Sequence, residues 1–295
     1  MTRDPTTRFA PSPNGHLHLG HAYSALLNWD LARKSGGCFL LRMEDIDVGR
    51  SRPEFEDGIY DDLEWLGIEW ETPIRRQSEH FNEYRQALDQ LDELGVLYPC
   101  FCTRKDIMAE IAHSDTAPHG PLGVIYPEIC RELSQSERAR RFEAGDGHAL
   151  RLNVQKAWEI VADGTSDPIV WQEVSGDKTV DQVCDLTQLG DVVLARKDIP
   201  TSYHLAVTLD DHLQGITLVV RGEDLFFATH VHRLLQALLG LDTPQYLHHK
   251  LIEGPEGDKL SKRRDAPTLK ALREDGATPA DVRRMVGLSA PQSAI

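Results

Sequence analysis

Apolar and polar positions follow two rhythms along this chain. Thr7-Arg8-Phe9-Ala10 predicts a short strand, halted by Pro11 and Pro13, which donate no backbone hydrogen bond. Leu19, Tyr23, Leu26 and Leu27 fall near helical spacing and predict a helix that ends at Gly36-Gly37. Cys38-Phe39-Leu40-Leu41 is a continuous apolar run, the mark of a buried parallel strand. Phe55, Ile59, Leu63 and Leu66 define a second amphipathic helix, and Tyr84, Leu88, Leu91 and Leu94 a third, capped by Gly95. Strand, helix, strand, helix is the opening of a doubly wound α/β sheet.

From about Tyr98 to Gly190 the rhythm breaks. Four of the five cysteines lie there, and Pro118, Gly120, Pro121 and Gly123 interrupt any regular element. This stretch reads as an inserted domain. The α/β pattern resumes at Asp191, with Val192-Val193-Leu194, Leu205-Ala206-Val207 and Ile216 to Val220 strand-like and Thr229 to Leu239 helical. The expected organisation is a Rossmann-type doubly wound parallel sheet in two halves, 1–97 and 191–250, an insertion at 98–190, and a basic loop with a short helical tail at 251–295.

Composition narrows the class. At 295 residues, 40% hydrophobic and 27% charged, the chain reads as an ordinary globular protein with a real core. No apolar run reaches the roughly 18–20 residues of a membrane helix, and Met1 to Pro5 leads into no apolar signal region. Five cysteines fit a reducing, cytoplasmic setting with thiols or a metal site better than a disulfide framework. The formal charge of −15 argues against indiscriminate nucleic-acid binding. Arg104-Lys105, Arg138 to Arg141, Lys262 to Arg264 and Arg283-Arg284 still permit a local basic face, although such clusters are usually solvated.

The candidate chemistry sits in two remote segments. His18-Leu19-Gly20-His21 places two histidines three apart at a helix start, where free backbone N–H groups attract anions and Gly20 permits close approach of a ligand. In isolation this is an incidental helix start; after a strand and a proline-broken loop it is the context of a nucleotide site. Lys259-Leu260-Ser261-Lys262-Arg263, flanked by Gly254, Pro255 and Gly257, is a loop able to close over a triphosphate. A third group is Cys100, Cys102 and Cys130, three thiols suited to a structural zinc site of four ligands. His113 and His119 lie between them and are the chemically commoner fourth ligand. Cys38 and Cys184 read as core or inert thiols.

His18 to His21 resembles the HIGH motif of class I aminoacyl-tRNA synthetases, and Lys259 to Arg263 resembles their KMSKS loop. Arg8-Phe9-Ala10-Pro11-Ser12-Pro13-x-Gly-x-Leu-His, followed by Arg42-x-Glu44-Asp45-Ile46-Asp47, is similar to the glutamyl branch. The resemblance runs from Thr7 to about Lys262 and is nearest to the short paralogues of that branch, the glutamyl-Q tRNA(Asp) synthetase family. It implies ATP-dependent activation of L-glutamate to glutamyl-adenylate and transfer to the queuosine base of tRNA-Asp, by a cytoplasmic monomer. Mg²⁺ on the phosphates and a structural Zn²⁺ in an acceptor-binding-like insertion are implied too. Carried over by position, Arg8, Phe9, Ala10, Pro11, Ser12, Glu44, Tyr203 and Arg221 hold glutamate. His18, Gly20, His21 and Lys262 hold ATP; His18, His21, Lys259 and Lys262 are catalytic. The family's cysteine pattern points to Tyr126, beside Cys100, Cys102 and Cys130, as fourth zinc ligand.

Glutamate carries two carboxylates and an ammonium, so at least two cations or strong donors and one anion are required; arginine forks suit the carboxylates and Glu44 the ammonium. Which arginine takes the side-chain carboxylate stays open. Leu260 replaces Met and Arg263 the last Ser of the loop motif, Asn14 replaces a frequent Thr, and Val207 stands where charging enzymes carry a polar residue. Only 32 residues follow Arg263, fewer than the roughly 50 of a domain that folds alone. A fragment of an enzyme that charges a tRNA 3′ end, or a catalytically silent tRNA-binding paralogue, is therefore the weaker expectation.

Overall fold

The computed structural model describes residues 4–113, 119–120, 123–164, 168–187, 189–252 and 267–289. Lys259 and Lys262 lie outside them. The first half alternates as the hydrophobic pattern requires: β1 (Thr6–Phe9), α1 (Leu19–Lys34), β2 (Cys38–Met43), α2 (Pro53–Trp65), β3 (Glu71–Arg76) and α3 (Phe81–Glu93). After these come β4 (Leu97–Cys100), α4 (Arg104–His113), the two-residue strands β5 (His119–Gly120) and β6 (Gly123–Val124), α5 (Gln135–Glu143), β7 (Ala149–Leu152) and α6 (Val154–Asp163). The remainder comprises β8 (Val170–Ser175), β9 (Lys178–Val183), β10 (Val193–Ala195), α7 (Tyr203–Leu213), β11 (Leu218–Gly222), α8 (Ala228–Leu239), β12 (Gln245–His249), α9 (Leu269–Glu274) and α10 (Pro279–Met285).

β1, β2 and β3 are parallel, as are β11, β12 and β8, with β9 closing the second group as a hairpin. Thr217 joins the groups. Its Oγ1 accepts from Thr6 N at 2.8 Å, and its own N donates to Thr6 O at 3.0 Å. Buried Asn28 of α1 reinforces the seam: its carbonyl accepts from Thr7 Oγ1 at 3.0 Å while its Nδ2 donates to Val220 O at 3.1 Å. The spatial order is therefore β3-β2-β1-β11-β12-β8-β9. Connections run one way from β1 and the other way from β11, so a crevice opens above the carboxyl ends of these two strands.

The fold is α/β with a parallel sheet and helices. One core lies between β1, β2, α1 and α2 and is sealed by Leu269 and Val282 of α9 and α10, while Arg283 grips Asp30 of α1 through two 2.8 Å bonds. A second core packs α3, α7 and α8 around Leu91, Leu205 and Leu235. β8, inside the stretch read as inserted, joins the sheet of β11 and β12 through Tyr246↔Glu173, whereas β10 pairs antiparallel with β7 in a separate sheet with β4. Among the described residues no helix is long and apolar enough to cross a membrane.

Two local readings are corrected. Leu205-Ala206-Val207 is helical, within α7, where the Ser202 hydroxyl caps the helix by accepting from Leu205 N. Every residue from Leu205 to Asp211 is buried, and a helix enclosed on all sides shows no amphipathic period to distinguish it from a strand. Cys38 opens β2 but is exposed.

Candidate active site

The crevice is a cavity of about 440 Å³. Arg8 to Ser12 reach it from the end of β1, His18, Gly20 and His21 from the start of α1, and Glu44 from the end of β2. Tyr203 enters from the start of α7 and Arg221 from the end of β11. Every described residue named above for glutamate or ATP thus meets in one place. The described residues nearest in sequence to Lys259 and Lys262 also meet the site: Leu251 and Ile252 line the cavity, Thr268 bridges to His18, and Leu269 N donates to Leu17 O at 2.8 Å.

The two histidines cap α1 reciprocally. Gly20 N donates to His18 Nδ1 at 3.1 Å, and His18 N donates to His21 Nδ1 at 3.2 Å. Because each Nδ1 accepts, each neutral ring carries its proton on Nε2. Burial lowers the pKa of His18 and takes that of His21 to about 3, so both are neutral donors near pH 7. The rings stack with centroids 3.8 Å apart. A Cβ on residue 20 would stand 2.9 Å from His18 Cε1, so the capping imidazole leaves no room for a side chain at Gly20.

Arg8 is held from behind. Its Nε and Nη2 donate to Asp211 at 2.9 and 3.3 Å, and Arg42 Nη1 donates to the same carboxylate at 2.8 Å. Arg42, fully buried, also donates through Nη2 to Glu44 at 3.2 Å. Asp210 next door collects Arg75, Gln77 and the Tyr84 hydroxyl. Burial pushes the Asp211 carboxyl up, but Arg8 and Arg42 outweigh it and leave the pKa lowered. At Glu44 burial wins over the same two arginines and the pKa is raised.

Arg221, also buried, has a different shell. It donates to His232 Nδ1 (3.2 Å), His248 Nε2 (3.2 Å), Thr229 Oγ1 (2.8 Å), Leu225 O (3.2 Å) and the Tyr203 hydroxyl (3.4 Å). All five acceptors are uncharged, and among the described residues no carboxylate pairs with it. Burial and then Arg221 keep the pKa of His232 well below the usual histidine value; burial lowers that of His248 against the opposing pull of Glu173. Tyr203, whose oxygen accepts from Arg221, keeps its own proton to donate.

Away from this cavity, the Sγ atoms of Cys100, Cys102 and Cys130 lie within 4.8 Å of one another. The Tyr126 hydroxyl is 3.4 Å from Cys100 Sγ and 3.5 Å from Cys102 Sγ, and the Arg151 guanidinium stacks 3.7 Å over its ring. Three thiols and a phenol in a buried cluster are a donor set that fits zinc. The side chains of His113 and His119 lie outside the described ones.

The family model for class I tRNA synthetases (E and Q), catalytic domain, matches residues 5–292. The chain belongs to this family. As a class I aminoacyl-tRNA synthetase it is a ligase, 48% identical to the glutamyl-Q tRNA(Asp) synthetase of Rhodobacter capsulatus over 285 residues, 96% of this chain and 99% of that one. It is 38% identical to a glutamate–tRNA ligase of Coprothermobacter proteolyticus, covering 92% of this chain and 56% of the relative. The solved glutamate-tRNA synthetase of Elizabethkingia anophelis superposes with a TM-score of 0.76 at 29% identity, over 96% of this chain and 61% of that one.

For this class I synthetase, sequence reasoning quoted Arg42 within a motif but gave no role to it, and gave none to Asp210, Asp211, His204, His232 or His248. One signal was available for the aspartates: two adjacent carboxylates following the apolar run Leu205 to Val207 require buried cations.

Proposed function

We propose that this synthetase activates L-glutamate with ATP and transfers it to the queuosine base of tRNA-Asp; its relative from Rhodobacter capsulatus bears the name glutamyl-Q tRNA(Asp) synthetase. One observation carries the reading. A buried guanidinium with only neutral partners, Arg221, opens on the same cavity as a carboxylate, Glu44, and two neutral Nε2–H donors, His18 and His21. A dicarboxylate takes Arg221, its ammonium takes Glu44, and a nucleotide's phosphates take the imidazole donors and the helix start.

A glutamate carboxylate oxygen then attacks the α-phosphorus of ATP, and pyrophosphate leaves with the electrons of the broken P–O bond. Catalysis is alignment with charge stabilisation, by His18, His21, Lys259 and Lys262. A queuosine hydroxyl next attacks the mixed anhydride, releasing AMP. Mg²⁺ would accompany the phosphates and offset their charge. Cys100, Cys102, Cys130 and Tyr126 would hold a structural Zn²⁺, which would tie the Cys100-x-Cys102 turn to Cys130 in the 98–190 stretch. The proposed enzyme is a cytoplasmic monomer that meets the RNA with its arginine clusters.

The test is glutamate-dependent ATP–pyrophosphate exchange without RNA, followed by transfer of labelled glutamate to tRNA-Asp with and without queuosine. Exchange plus queuosine-dependent labelling supports the reading. Labelling of the 3′ end of tRNA-Glu, or no exchange, overturns it.

A further inference from the structure

The hydrogen bonds around Arg221 continue beyond its immediate acceptors. Arg221 has only donors, so His232 Nδ1 must accept and the His232 proton must sit on Nε2. That Nε2 lies 3.2 Å from His204 Nδ1, which must therefore accept, placing the proton of His204 on its own Nε2. The sequence of donors is Arg221 to His232 to His204, each step with one permitted direction. His248 is fixed in the same way: its Nδ1 lies 2.9 Å from a Glu173 oxygen, so its Nε2 is free to accept from Arg221. Two imidazoles are each locked as acceptors by a group on their far side.

We infer that His204 is a positioning residue for substrate recognition: through His232 it fixes the tautomer that presents an acceptor, rather than a second N–H, to Arg221. Without an acceptor at His204, the Nε2 proton of His232 loses its partner, and the tautomer with Nδ1–H against the guanidinium becomes competitive. That tautomer sets donor against donor and turns the fork away from the cavity. His204 does not line the glutamate cavity, whereas Tyr203, its chain neighbour, does. Its ring meets His232, buried in α8, and also packs edge-on against Tyr203 with centroids 5.7 Å apart, so the His232 tautomer is the readout that isolates the route through His232.

The inference rests on the proposed glutamate activation, and the experiment separates the two. Glutamate-dependent pyrophosphate exchange is measured for the wild type, His204→Leu, which removes the acceptor, and His204→Gln, whose amide oxygen can replace it. His204→Leu is expected to raise KM for glutamate about five- to tenfold, the size of one buried hydrogen bond, with kcat and KM for ATP little changed. His204→Gln should recover most of the loss. Circular dichroism and thermal midpoints establish that both variants are folded, and ¹⁵N chemical shifts of the His232 ring report the tautomer directly. Equal KM in the Leu and Gln variants, a loss confined to kcat, or an unchanged His232 tautomer in His204→Leu overturns the inference alone. Absence of exchange in the wild type overturns the activation reading and the inference with it.

Discussion

Asp211→Asn is the most informative single change, because it keeps the side chain's shape while removing its charge and turning one of its two acceptor oxygens into a donor. The carboxylate takes two bonds from Arg8 and one from Arg42, all in buried surroundings. Arg42 retains Glu44 at 3.2 Å and Asp210 at 3.9 Å, whereas Asp211 is the one carboxylate paired with Arg8 among the described residues. Breaking a buried pair while one charge remains costs about 3–5 kcal/mol. With an unfolding entropy of roughly 2.1 cal/mol/K per residue, a 295-residue chain should lose about 5–8 °C of thermal midpoint, read by calorimetry. The pH dependence has a definite sign. The two arginines hold the folded pKa of Asp211 below that of the unfolded chain. Its stabilisation is therefore complete above the ordinary aspartate value near 4 and lost as pH falls through the lower, folded value. The gap between wild type and variant should be widest near neutrality and close in acid. A midpoint unchanged at pH 7, or a gap constant down to about pH 3, would refute the argument.

The remaining predictions concern separate parts of the molecule. Gly20→Ala forces a Cβ to within 2.9 Å of the His18 ring and should raise KM for ATP in pyrophosphate exchange more than KM for glutamate. Lys262→Ala should depress adenylate formation while leaving glutamate affinity intact, as measured by exchange and by calorimetric titration. Cys130→Ser should abolish bound zinc by elemental analysis and Tyr126→Phe should weaken it, while His113→Ala and His119→Ala retain it. Because the pKa of Glu44 is raised by burial, kcat/KM for glutamate should fall on the acid side at a pH above the ordinary carboxylate range, and Glu44→Gln should remove that limb.

How far the site was legible in the chain depends on how its residues are brought together. His18, Gly20 and His21 are contiguous, so their spacing alone placed them on one helix start. Arg221 was legible because a charge directly follows the apolar run Leu218 to Val220. Asp211 and Arg8 are 203 residues apart, and His232 lies inside the apolar α8; no local period reports such pairs. The same enclosure that hides Asp211 made Leu205 to Val207 read as a strand. β2 alternates at its start, which turns Cys38 outward despite its apolar neighbours. β8 belongs to the sheet of β11 and β12 because of one parallel pairing across a long separation in sequence, again a fact of tertiary contact.

The two arginines of the cavity are both buried, yet they are electrically unlike. Arg8 and Arg42 are offset by Asp211 and Glu44, and Arg75 by Asp210. Arg221 is left as the uncompensated charge of this set, because imidazoles, a hydroxyl, a phenol and a carbonyl satisfy its N–H groups without neutralising it. Burying such a cation is costly in the free protein. A ligand with one net negative charge relieves that cost, and the zwitterion of glutamate has that charge while glutamine has none. Selectivity on this argument comes from the neutrality of Arg221's partners as much as from the guanidinium itself. Placing a carboxylate among them, as in His232→Glu, should therefore raise KM for glutamate by more than His232→Gln does.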